Sequence, residues 1–217
     1  MPRDTFHQDL REIEESVISM ATLVESEIAR AMQALTQRDA MLAEGVIASD
    51  GEVNELQRTI RSRCINIIAL QAPVARDLRE LITVQLVINE LERMGDHAVG
   101  ISKQTLRIRD FETSPIAYEL SELARLVREQ VRACIEAFVD VNVQEAREIC
   151  RKDDVVDGQY RSIFNTILEL MARDSASVPL AASLLFIAHD LERIGDRVTN
   201  ICEDVIYMVS GQIEELN

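Results

Sequence analysis

Of 217 residues, 38 are Asp or Glu and 23 are Lys or Arg, a formal net charge of −15. With its basic residues dispersed along the chain, a surface of that sign excludes a nucleic-acid backbone as the main partner and disfavours an anionic membrane; multivalent cations and basic protein surfaces remain. The lack of Trp, with only seven Gly, four Pro and eight Phe and Tyr, excludes a strand-rich fold and fits long helices.

The first predicted helix places Phe6, Leu10, Ile13, Val17, Met20, Val24, Ile28, Ala31 and Leu35 at a three-and-four spacing, which only a helix gathers onto one face. At 1.5 Å per residue, its roughly 30 residues extend about 45–50 Å, the length of a bundle rod. A second helix is expected over residues 39–71, with Pro73 breaking it from a third over 74–109. Residues 110–114 form the best boundary, because Ser114 supplies a capping hydroxyl and Pro115 suits the first position of a fourth helix. That helix runs to about Asp140 and a fifth to about Arg173. Pro179 lies near the start of a sixth, which ends close to Gly211. The fold class is all-α: two tandem three-helix bundles, 1–110 and 114–217, with six long antiparallel helices.

Cys64, Cys134, Cys150 and Cys202 show no CxxC spacing and no close histidine, so they read as buried reduced thiols of a cytoplasmic protein. The N-terminus, Met1-Pro2-Arg3-Asp4, has no signal-peptide core, and no charge-free run is long enough to span a bilayer.

The halves repeat each other. Residues 90–97 read ELERMGDH and residues 190–197 read DLERIGDR, one hundred positions apart, each on the third helix of its half. Asp50-Gly51-Glu52-Val53-Asn54 and Asp153-Asp154-Val155-Val156-Asp157 take equivalent places on the second helices, and Pro73 and Pro179 fall at the following junctions. A tandem duplication explains all of these together.

On the sixth helix, an unbroken seam from Leu180 to Met208 leaves Glu192, Asp196, Asn200 and Glu203 on the opposite side, an outward acidic stripe. Glu92 and Asp96 match it in the first half, where Lys103 replaces Glu203 and weakens the charge. Carboxylates at i and i+4 repel, and a mid-helix glycine costs roughly 1 kcal/mol; both occur twice, at Gly95 and Gly195. A single such pair would read as solvated surface charge, but the duplicated pair with its glycine is the kind of local inconsistency expected at functional sites. A hard cation turns the repulsion into attraction. Asp50 with Asn54, and Asp153 with Asp157, are again i, i+4 pairs that antiparallel packing would bring to face the motif carboxylates, so one oxygen-ligand metal site per half is expected. His97 and His189 read as surface or packing residues, not ligands.

The paired LERMGD and LERIGD helices, the stretch QAPVARDLR at 71–79, the acidic second-helix motifs and the six-helix layout resemble the PhoU family, regulators of bacterial phosphate transport. The resemblance spans essentially the whole chain. It implies two three-helix bundles, a homodimer, and surface metal clusters, with iron favoured over Zn, Mg, Mn or Ca. Their ligands would be Glu92, Asp96, Glu192 and Asp196, with Asp50, Asn54, Asp153, Asp157, Asn200 and Glu203 as companions. It also implies a negative regulator of the phosphate-starvation response that contacts the phosphate transporter ATPase and a sensor histidine kinase, meeting the membrane only through them. No enzyme is implied: the sequence has no GxxxxGK loop, GxSxG elbow or HExxH. The alternatives are an accessory regulator of a different phosphate carrier and a di-iron-type metalloenzyme. The latter needs inward Glu-x-x-His motifs, and none of the three histidines follows a Glu by three.

Overall fold

The computed structural model describes residues 2–112 and 114–216; Met1, Thr113 and Asn217, at the expected domain ends and connector, lie outside the described residues. Its helices are α1 (Pro2–Gln37), α2 (Ala40–Gln71), α3 (Arg76–Arg107), α4 (Ile116–Val139), α5 (Val143–Arg173) and α6 (Val178–Ser210), with a 3-10 turn at Ser175–Ser177 before the last. The duplication is visible in the caps. Asp39 Oδ1 accepts from the Leu42 N–H at 3.0 Å, and Asn142 Oδ1, 103 positions later, accepts from the Glu145 N–H at 3.1 Å. Each satisfies an otherwise orphaned donor at the start of a second helix.

Two boundaries differ from the sequence expectation. The third helix starts at Arg76 instead of residue 74, because Ala72 (φ 46°) and Ala75 (φ 50°) both turn left-handed around Pro73. Such a residue lacking glycine's freedom costs about 1–2 kcal/mol, and proline bias alone does not foretell it. The fourth helix starts at Ile116, one residue late, with the Ser114 hydroxyl accepting from the Ile116 N–H at 3.3 Å.

The two three-helix repeats pack directly on each other. The most extensive helix pairing in the molecule is α3 on α6, and α1 also packs on α4 across the halves. The buried apolar side chains form one continuous core, in which Leu91, Met94 and Ile101 of α3 belong with Leu191, Ile194 and Ile201 of α6. Glu25 on α1 pairs with Arg128 and Arg132 on α4, fastening the halves at a second place.

Central placement widens the buried face of α6 beyond its heptad seam to include Gly195, Arg197 and Thr199. The acidic stripe is consequently half-buried and not outward: the Glu192 and Asp196 side chains are 22% and 30% exposed. All four cysteines are free and buried, as read from the sequence, and three of them lie in the second half. Burial pushes the Cys64 thiol up to about 11. Among the described residues, no helix is long and apolar enough to cross a membrane.

Candidate functional site

In the second half, α5 brings Asp153 and Asp157 to face Glu192 and Asp196 on α6, as the two i, i+4 pairs require. Their mutual repulsion is legible in their protonation. The Asp153 carboxyl is pushed up to about 6, first by burial and then by the charges of Asp157, Asp196 and Glu192, against a lowering hydrogen bond from Gln130. Glu192 is raised by burial and by Asp196, with Asp157 adding to it, while His189 and Arg193 lower it. Cations sit at the rim: Arg193 Nη1 lies 2.6 Å from Asp196 Oδ2, and Arg161 Nη2 lies 3.3 Å from Asp157 Oδ2.

The interior of the patch is short of donors. Asp153 Oδ1 is buried without a hydrogen bond, as is Glu192 Oε2, although His189 Nδ1 lies 3.3 Å from the latter. A Cβ on Gly195 would stand 3.4 Å from Asp153 Oδ1 and from Val156 Cγ1, so the glycine lets α5 close on α6 with that oxygen uncovered.

The first half repeats the arrangement with changed chemistry. On α2, Asn54 Nδ2 donates to Asp50 Oδ2 at 3.0 Å. Glu92 on α3 is raised by burial, then by Asp96, with Asp50 adding to the repulsion and Arg93 and Arg61 opposing it. The deepest member comes from α1: Glu27 is 0% exposed. Its Oε1 accepts from the Ser49 hydroxyl at 2.9 Å, and its Oε2 has no partner. A Cβ on Gly95 would lie 3.5 Å from that Oε2. Burial raises the Glu27 carboxyl, the Ser49 bond lowers it, and Asp50 raises it further.

Sequence reasoning missed Glu27 and its counterpart Gln130, 103 positions later on α4. A signal was available. Glu27 continues the buried spacing Met20, Val24, Glu27, Ala31, and Gln130 continues Val127, Gln130, Cys134, so each is a polar residue on a core stripe at the same place in both halves. Among the described residues, no three His, Cys, Asp or Glu side chains stand close enough to hold an ion as they are. The carboxylates are neighbours, not an assembled cage.

Asn200 and Glu203 are not brought to this group. Asn200 lies four residues past Asp196, a rotation of about 40°, and its Nδ2 donates to Glu90 Oε2 of the other half at 3.1 Å. Glu203, roughly 10 Å further along the axis than Asp196, accepts from the Leu216 N–H at 2.8 Å.

The contact to Glu90 belongs to a second use of the repeated motif. The first and eighth motif residues cross between the halves: Arg197 Nη1 lies 3.3 Å from Glu90 Oε2, and His97 Nδ1 lies 2.9 Å from Asp190 Oδ1. The third and seventh residues form the acidic patches. His97 is therefore a packing residue at the joint between the halves, whereas His189 stays 54% exposed beside Glu192.

Comparison with known proteins places this architecture. The PhoU domain family matches residues 17–105 and again 120–205, once per half. The phosphate-specific transport system accessory protein PhoU homolog of Clostridium acetobutylicum is 37% identical over 218 residues, spanning 100% of both chains. The PhoU of Escherichia coli K12 is 35% identical over 207 residues, 95% of this chain and 86% of that one. The crystal structure of the phosphate transport system regulatory protein PhoU from Streptococcus pneumoniae superposes with a TM-score of 0.91 at 30% identity, over 97% of this chain and 99% of the other. PhoU from Pseudomonas aeruginosa does so at 0.90 and 28%, over 95% and 100%. With one domain match in each half and relatives that align from end to end, this chain belongs to the PhoU family.

Proposed function

We propose that the protein is a non-enzymatic accessory regulator of phosphate-specific transport that holds the phosphate-starvation response off while phosphate is plentiful. The observation that carries this reading is the end-to-end similarity to proteins named as accessories of that transport system, with one domain match in each half. In this reading the protein is a cytoplasmic homodimer that bridges the transporter ATPase and a sensor histidine kinase, and its long rigid helices present acidic surfaces to both. Deleting the gene is expected to raise phosphate-scavenging enzymes in phosphate-rich medium; expression equal to wild type would remove the regulatory role. Capture of partners from phosphate-replete cells separates this transporter from a different phosphate carrier.

The acidic patches fit a cation that accepts oxygen ligands, such as iron, Mn, Mg, Ca or, less selectively, Zn, because their donors are oxygen only and several buried oxygens lack a partner. Asp50, Asn54, Glu92 and Asp96 would hold it in the first half, and Asp153, Asp157, Glu192 and Asp196 in the second. A bound cation would neutralise the clustered charge and cross-link the second and third helices of each half. Elemental analysis is expected to find metal in wild type and little in Asp96→Ala plus Asp196→Ala; equal content would remove these sites.

A further inference from the structure

We propose that Glu27 is an inner ligand of the first-half cation site, a carboxylate supplied by α1 that the motif helices do not contain. The inference rests on the metal reading above and extends it to a third helix. Glu27 is completely buried, yet it is not fully satisfied: Ser49 engages Oε1, and Oε2 accepts nothing. Leaving a buried acceptor unpaired is costly, so a purely structural Glu27 would be a poor use of the position. The free oxygen stands beside Gly95, the residue just before Asp96, where any larger side chain would lie against it. Ser49, which holds Oε1, immediately precedes Asp50 on α2, and Gly95, beside Oε2, immediately precedes Asp96 on α3, so the Glu27 carboxylate touches both helices that carry the patch.

Comparison of the halves strengthens the assignment. In this assignment the first site would draw on Glu27, Asp50, Glu92 and Asp96 with one amide, Asn54. The second would draw on Asp153, Asp157, Glu192 and Asp196 with one amide, Gln130, which stands on α4 at the place that Glu27 holds on α1. Each half thus has four carboxylates and one amide, with the amide moved from the second helix to the first. Counted this way, the first site is not the weaker one that Lys103 suggests. The loss of a carboxylate at Asn54 is offset at Glu27, which comes from α1 and lies deeper in the fold.

The test uses the full chain with the second site disabled by Asp153→Asn and Asp196→Asn, and Mn²⁺ as the probe. Adding Glu27→Gln is expected to weaken Mn²⁺ binding by calorimetry by about tenfold or more. It is also expected to raise the melting temperature of the metal-free protein, because Gln is the neutral isostere and can still accept from Ser49. Unchanged Mn²⁺ affinity with Glu27→Gln, alongside a loss with Asp96→Asn, overturns the role of Glu27 while leaving the metal reading standing. No Mn²⁺ binding by wild type overturns both. The reciprocal variant is independent of how Glu27→Gln folds: in a chain carrying Asp50→Asn and Asp96→Asn, Gln130→Glu is expected to tighten Mn²⁺ binding at the second site, and unchanged or weaker binding counts against an inner ligand at this position.

Discussion

The first and second halves carry the same eight-residue motif, yet they grip each other through different side chains. Glu90 of the first half takes Arg197 and Asn200, an ion pair only 10% and 16% exposed. Its counterpart Asp190 takes His97 and lies over Gly100, in a pair 25% and 20% exposed. One end of the joint therefore depends on a permanently charged guanidinium, and the other on an imidazole and on the missing side chain of a glycine. Duplication preserved the geometry of the joint while the chemistry at its two ends diverged, so substitutions at matching positions should have unequal effects.

The largest inequality is expected at the buried pair. Arg197→Ala leaves Glu90 without its cation and should destabilise the protein by about 3–5 kcal/mol in urea unfolding, against about 1 kcal/mol for His97→Gln; equal losses would dissolve the distinction between the ends. Asp204 on α6 comes next. Burial, with Glu90 and Glu203 nearby, pushes its carboxyl up to about 7. A carboxyl raised above its unfolded value of about 3.9 contributes stability that is complete below pH 4 and is lost as pH rises through about 7. Asp204→Asn should therefore match wild type at pH 4 and exceed it by about 1–3 kcal/mol at pH 8. A difference independent of pH would exclude Asp204 as its source.

Glycine substitutions sharpen the comparison at smaller scale. A Cβ on Gly100 would lie 2.7 Å from Asp190 Oδ2 and displace the carboxylate from His97. Gly100→Ala should then destabilise by about 1 kcal/mol despite its gain in helix propensity. At Gly95 and Gly195 the nearest atoms are 3.5 and 3.4 Å away, ordinary contacts, so alanine should stabilise the metal-free protein by roughly 1 kcal/mol. The same changes should weaken cation binding by covering Glu27 Oε2 and Asp153 Oδ1. Calorimetry with Mn²⁺ checks this; affinity unchanged at both positions would assign the motif glycines to helix packing alone.

Much of this organisation was legible in the chain. Periodicities along Phe6–Leu35 and Leu180–Met208 are local properties of single helices, and the hundred-residue repeat needs no folding to be seen. The i, i+4 carboxylate pairs were likewise readable, because helix geometry alone puts them on one face. Asn200 and Glu203 went astray because a helical wheel gives an angle but not a neighbour: α3 stands where solvent was assumed and takes Asn200 for itself. Glu27 escaped for the opposite reason, since one polar residue on an apolar stripe acquires meaning only when α2 and α3 are known to close over it.

By itself, the sequence determined six helices, their duplication, two acidic motifs and the family, because these depend on residue order and on the fixed pitch of a helix. Only the tertiary structure decided that α3 and α6 form one joint between the halves, that the acidic stripe is half-buried, and that a carboxylate from the first helix enters the first patch. Those facts depend on which faces meet, and that is set by the packing of the whole chain around a shared core.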